Sequence, residues 1–117
     1  MKKLLLGFMC LVSFAFSETL ENQKIIDTVD NVGRYADEHK WDKLKNLFDK
    51  KVLLDYSSFT KQPATVVTPE EIIKSWSTFL PGFEITQHKN SNHIITKTKD
   101  GFEVHTDVRA FHFISDA

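Results

Sequence analysis

The chain has 117 residues, with 15 Lys+Arg against 16 Asp+Glu, five His and one Cys, for a formal net charge of −1. That length predicts a single domain. No basic run of five or more residues is present to neutralise a row of phosphates, which argues against nucleic acid as a partner.

The N-terminus reads as a secretory leader. Lys2-Lys3 is a short basic start, residues 4–16 are an apolar run, and Ala15 and Ser17 place small side chains at −3 and −1 of a cut after Ser17. The run is shorter than the roughly 20 apolar residues that span a bilayer, so no membrane association is expected after cleavage. Lipoprotein processing at Cys10 would need a small residue before it, and Met9 is not small. Removing 1–17 leaves a domain of 18–117, secreted or periplasmic. It has no cysteine and 13 basic against 16 acidic residues, a net charge of −3. Disulfide and thiol chemistry are then absent.

In the remaining chain, Ile25, Ile26, Val29, Val32, Gly33 and Ala36 recur at helical spacing and predict an amphipathic helix over about 20–38. Trp41, Leu44, Leu47 and Phe48 predict a shorter second helix. Residues 51–57 read as a strand with Val52, Leu54 and Tyr56 on one face, and 58–67 read as a loop. Thr68-Pro69-Glu70-Glu71 is a helix start: an N-cap, a proline at the first helical position and a capping box. Ile72, Ile73, Trp76, Phe79 and Leu80 form that helix's apolar face, and Pro81-Gly82 stops it. Residues 83–98 read as one long or bulged strand, Asp100-Gly101 as a tight hairpin turn, and 102–114 as a second strand. Phe102, Val104, Thr106, Val108, Ala110, His112 and Ile114 share a face of that strand. The fold class is α+β, an antiparallel sheet with helices on one side. The sequence ends directly on a strand-like run, so the expectation is an incomplete domain.

Four residues could hold or move protons. Thr86, His88, Asn90 and Asn92 alternate onto one strand face, which either lines a wet cavity or meets solvent. His112 shares its face with Val108 and Ala110, as a pocket group or an inert core histidine. Asp37 stands at the edge of the apolar stripe near a helix C-terminus, where the dipole disfavours an acid. It is either a surface acid or one with a partner, for which a histidine is the usual choice. Tyr56 needs a bond for its hydroxyl, to water or to a ligand. His39, His93 and His105 read as surface or pairing residues. His88-x4-His93 is not helical spacing, and no cysteine completes a zinc site. Gly-rich phosphate loops and Gly-x-Ser-x-Gly elbows are missing, so no cofactor is expected.

Asp37 with Trp41-Asp42-Lys43-Leu44, then Leu54-Asp55-Tyr56-Ser57-Ser58-Phe59, Thr86-Gln87-His88 and Arg109-Ala110-Phe111-His112, resembles the SnoaL-like group of the nuclear-transport-factor-two-like superfamily. Within it, the pattern is similar to scytalone dehydratase. The resemblance implies a cone-shaped barrel of three helices against a curved, mixed, mostly antiparallel sheet, with two more C-terminal strands than this sequence holds. It implies Asp37 orienting His88 as general base and acid, Tyr56 holding a substrate carbonyl and His112 as second pocket histidine. The dehydratases carry a tyrosine directly before the acid, where this chain has Ala36, with Tyr35 one step further along. The activity so implied is cofactor-free dehydration or isomerisation of a small carbonyl or polyketide-like compound. The alternative is a non-catalytic module of the same fold, binding a small apolar molecule or pairing as a homodimer through its sheet face.

Overall fold

The computed structural model describes the backbone of residues 2–115 and the side chains of 18–115; the predicted leader, 1–17, and the last two residues lie outside the described side chains. The elements run α1 (Lys2–Asp37), α2 (Trp41–Lys45), β1 (Val52–Leu54), α3 (Ser57–Thr60), β2 (Thr65–Val67), α4 (Pro69–Phe79), a 3-10 turn (Leu80–Gly82), β3 (Ile85–Lys97) and β4 (Phe102–Phe113). Over the described residues, no helix is long and apolar enough to cross a membrane.

The end of α1 is set by a motif without glycine. The amide of His39 donates to the Ala36 carbonyl (3.2 Å) and that of Lys40 to the Tyr35 carbonyl (2.8 Å). His39 takes the left-handed conformation, φ 56°. This is the Schellman pattern, usually built on glycine or asparagine. Stacking of the His39 ring on Trp41, centroids 5.4 Å apart, accompanies it. The cap places Asp37 as the last helical residue.

The start of α4 is as the sequence predicts: Thr68 is extended and its hydroxyl accepts from the Glu71 amide at 3.2 Å, with Pro69 inside the first turn. Ala36, Leu44 and Leu80 are the buried centre of the core. Val32, Tyr35, Trp41, Leu47, Phe48, Ile73 and Trp76 pack against it. Helices α1, α2 and α4 thus meet over one small core, with Phe48 edge-on to Trp76 at 6.2 Å.

Several expected boundaries change. The second helix is one turn, Trp41–Lys45, and Leu47 and Phe48 follow it as core-packed turn residues. The first strand is only Val52–Leu54, because Tyr56 leaves extended geometry at φ −107°, ψ 19° and caps α3. Asp55 drives that turn by accepting from the Ser57 amide at 2.9 Å. The expected loop 58–67 contains β2, which pairs antiparallel with β1, Val52 opposite Val67. The hairpin joining β3 to β4 has a four-residue connection after the Lys97–Phe102 pair, and Gly101 does not take positive φ. A two-residue Asp-Gly turn of the primed type is therefore not formed.

The described strands make two separate two-stranded antiparallel sheets, not one sheet, and they do not close a barrel. The α+β class stands, with α1 lying across β3.

One irregularity in β3 positions the site. Its buried or half-buried residues are Thr86, His88 and Asn90, then His93 and Ile95. Alternation is broken by a bulge between Ser91 and Ile94, where Asn92 adopts φ 56°. Asn92, expected on the His88 face, is instead exposed, its amide donating to Asp107 at 2.9 Å. A bulge adds one residue to one strand, which moves every later side chain to the other face. His93 is thereby turned inward.

Candidate functional site

Asp37 receives three hydrogen bonds from β3. The Thr86 hydroxyl donates to Oδ1 at 2.9 Å, the His88 amide donates to Oδ2 at 2.7 Å, and His88 Nδ1 lies 2.7 Å from Oδ1. The two side chains are mostly shielded, His88 24% and Asp37 15% exposed. An acid at a helix C-terminus faces the negative end of the dipole, costing about 0.3–1 kcal/mol. Three donors on one carboxylate outweigh that, since a hydrogen bond to a charged group contributes about 1.5–3 kcal/mol. Because Asp37 only accepts when ionised, it fixes the neutral His88 as the Nδ1–H tautomer and leaves Nε2 with its lone pair.

Gly33, one turn before Asp37, makes this approach possible. A methyl group there would lie 2.7 Å from His88 Cβ and 3.3 Å from Cγ. Its φ is not positive, so space rather than backbone freedom calls for glycine. Helical spacing places Gly33 in the apolar stripe of α1, one turn before Asp37. Its hidden signal was its place on the helix face that carries Asp37.

His112 is on the same sheet face as His88: Thr86 pairs with His112, and His88 with Ala110. The two imidazoles stand edge to face, centroids 6.0 Å apart, and Phe83 packs on His112 at 4.8 Å. Three of the four candidates, Asp37, His88 and His112, are therefore neighbours. Tyr56 is not brought to them. It is 53% exposed at the start of α3, and among the described residues its side chain has no hydrogen bond to the other three.

A second histidine–acid pair lies on the same face, and of the two roles expected for His93, surface or pairing, the structure shows pairing. His93 Nε2 is 2.7 Å from Asp30 Oδ1, and the Asn90 amide donates to that oxygen at 3.0 Å. The His93 side chain is 13% exposed. His105, in contrast, is exposed and pairs with Glu103 at 3.0 Å.

An open depression of about 330 Å³, lined by Lys45, Asn46, Phe48, Lys50, Pro69 and Glu70, contains none of the four candidates. Among the described residues, no three His, Cys, Asp or Glu side chains gather as metal ligands.

Comparison with known proteins gives the family and the fold. The SnoaL-like domain family matches residues 17–117, nearly the whole chain. No curated protein matches. Among solved structures, the chain is similar to the Kfla4162 protein of Kribbella flavida, with TM-score 0.76 and 23% identity over 85% of this chain and 67% of that one. It is also similar to a candidate scytalone dehydratase of Novosphingobium aromaticivorans, with TM-score 0.66 and 19% identity over 88% of this chain and 67% of that one. A third is ActVI-ORFA of Streptomyces coelicolor, with TM-score 0.65 and 13% identity over 82% of this chain and 72% of that one. At these identities the likeness to solved structures is one of fold. The family match covers the helix that carries Asp37 and both long strands, and the chain belongs to the SnoaL-like domain family, within the nuclear-transport-factor-two-like superfamily.

Proposed function

We propose that this chain binds a small carbonyl compound and catalyses its dehydration or isomerisation by proton transfer, without a cofactor. The observation that carries this reading is the 2.7 Å contact between Asp37 Oδ1 and His88 Nδ1. His88 Nε2 takes a proton from the carbon beside the carbonyl. In a dehydration it gives that proton to the hydroxyl on the next carbon as the C–O bond breaks and water leaves; in an isomerisation it returns the proton to a different carbon of the enolate. Asp37 holds the tautomer and stabilises the imidazolium that forms. Positioned acid–base catalysis of this kind contributes about 10²–10⁴-fold. His112, edge-on to His88, is the group nearest at hand to donate to the developing enolate oxygen. Tyr56, half exposed at the start of α3, takes no part in this reading. The leader at 1–17 directs the protein to a secreted or periplasmic site.

The test is deuterium wash-in from D2O beside the carbonyl of enolisable cyclic ketones such as 1-tetralone, followed by NMR. His88→Ala abolishes the catalysed exchange in protein that still folds, with a stability loss of about 1–3 kcal/mol like that of Thr86→Val because Asp37 loses a donor. Asp37→Asn lowers the exchange by about 10²-fold or more. Equal exchange by wild type and His88→Ala refutes the proposal.

A non-catalytic binding module of the same fold is the second reading. It is favoured by one observation: Tyr56 is half exposed and apart from the dyad, leaving His112 as its neighbouring polariser. In that case apolar substitutions such as Val108→Ala weaken capture of 1-tetralone more than His88→Ala does.

A further inference from the structure

We infer that the Asp30–His93–Asn90 cluster is a positioning element for the Asp37–His88 dyad, a second fastening point that fixes α1 on β3 and so fixes where His88 stands. The inference rests on the dyad's being the working site.

Asp30 and Asp37 are seven residues apart, two helical turns, so they share one face of α1 about 10 Å apart along its axis. Gly33 lies between them on that face. Each acid is bonded to β3: Asp37 to Thr86 and His88, Asp30 to Asn90 and His93. A helix tied to a strand at one point can still pivot about that point. Tied at two points on either side of Gly33, it cannot, and the close seat of His88 on Gly33 is preserved.

The bulge is what makes the second tie available. With regular alternation, Asn92 would face α1 and His93 would face away. Asn92 instead takes the left-handed conformation and bonds Asp107 on β4, while the Thr106 hydroxyl donates to the Ser91 carbonyl at 3.0 Å. These contacts hold the irregularity from the neighbouring strand. A non-glycine residue at φ 56° costs on the order of 1 kcal/mol and persists only where its surroundings enforce it. The feature it secures here is His93 facing Asp30.

A partly buried His–Asp–Asn group is also an expensive way to join a helix to a strand, since apolar side chains would do so without desolvating three polar groups. What polar groups add over apolar ones is direction: hydrogen bonds weaken steeply away from linear geometry. Catalysis at His88 needs that precision, since a 1 Å displacement can cost about 10²-fold.

The experiment follows the His88 Nδ1–H proton by NMR in the intact protein, well below the melting midpoint of each variant, and measures its exchange with solvent. Asp30→Ala and His93→Ala speed that exchange at least tenfold, although neither residue touches His88. Asp30→Asn, which keeps an acceptor oxygen, and His93→Gln, whose amide reaches the Nε2 position, restore it to within about threefold of wild type. A residue contributing only to overall stability would not show this rescue. If the Asp30 and His93 alanine variants do not fold, Asn90→Ala removes one of the two bonds to Asp30 and gives an acceleration of a few fold. Exchange within twofold of wild type in the folded Asp30, His93 or Asn90 alanine variants overturns the inference. Asp37→Asn, run alongside, separates the two claims. If it also leaves the proton unmoved, the dyad itself fails and the positioning role with it. If only the cluster variants are silent, the positioning role alone fails.

Discussion

Gly33→Ala sets two physical effects against each other. Glycine inside a helix is about 0.8–1 kcal/mol less favourable than alanine, so propensity alone makes the variant more stable. The added methyl, however, would stand 2.7 Å from His88 Cβ, where carbon contacts settle at about 3.5–4.0 Å. The obstacle is not the far end of a flexible side chain. His88 Cβ is bound to a backbone whose amide donates to Asp37 at 2.7 Å. Helix and strand must therefore part by roughly 1 Å, and overpacking of this kind costs about 1–3 kcal/mol. Clash exceeds propensity, and the variant loses about 1 kcal/mol net, read as a lower urea midpoint at unchanged slope. The same movement lengthens the Asp37–His88 contact and broadens or removes the slowly exchanging Nδ1–H proton. Gly82→Ala is the control, because a methyl there meets nothing within 4 Å. A Gly33→Ala protein about 1 kcal/mol more stable than wild type, with the His88 proton unmoved, would refute this account of the close approach.

Thr86→Val keeps the shape of a side chain only 7% exposed but removes its donor to Asp37. The expected loss is about 1–3 kcal/mol in urea unfolding, with the His88 Nδ1–H signal retained. Thr68→Ala removes the cap of α4 and lowers stability by about 1 kcal/mol, while deuterium wash-in stays at the wild-type rate. The Ser57 hydroxyl and amide hold the Asp55 carboxyl below the usual carboxylate range. A carboxyl lowered in the folded state favours folding above its unfolded value, near 4, and loses that contribution as pH falls through the folded value. Acidification below about pH 4 therefore loosens the turn at α3, measured as a fall in the protection factor of the Ser57 amide relative to its intrinsic rate at each pH; a protection factor unchanged down to pH 2 contradicts the bond.

What was legible in the sequence is what local chemistry decides. Thr68, Pro69 and Glu71 specify the start of α4 within four residues, and the structure has the Thr68–Glu71 bond. Helical recurrence from Ile25 to Ala36 and alternation in the two long strands sufficed for an α+β reading. Parity put His88 with Thr86 on one strand and His112 with Ala110 on the other; that these sets share one sheet face comes from the register between the strands. The pairing of Asp37 with His88 was legible only through resemblance, because the two are 51 positions apart. The strand β2 escaped for a related reason: it is three residues long and exists only as the partner of β1.

The Asp30–His93 pair and the demand for glycine at position 33 were decided by tertiary structure. Whether His93 faces the helix depends on a single extra residue in β3, held in place by Asn92, Asp107 and Thr106 across two strands. No alternation pattern within β3 carries that information. The need for Gly33 is not written in its neighbours either, since the atoms that forbid a side chain belong to His88, brought there by the fold. Tyr56 shows the converse: correct alternation with Val52 and Leu54, yet a turn at Asp55 takes it off the strand. Local propensity and patterning determine which elements form. The distances between them, and so the chemistry they can perform, come from contacts that sequence order does not encode locally.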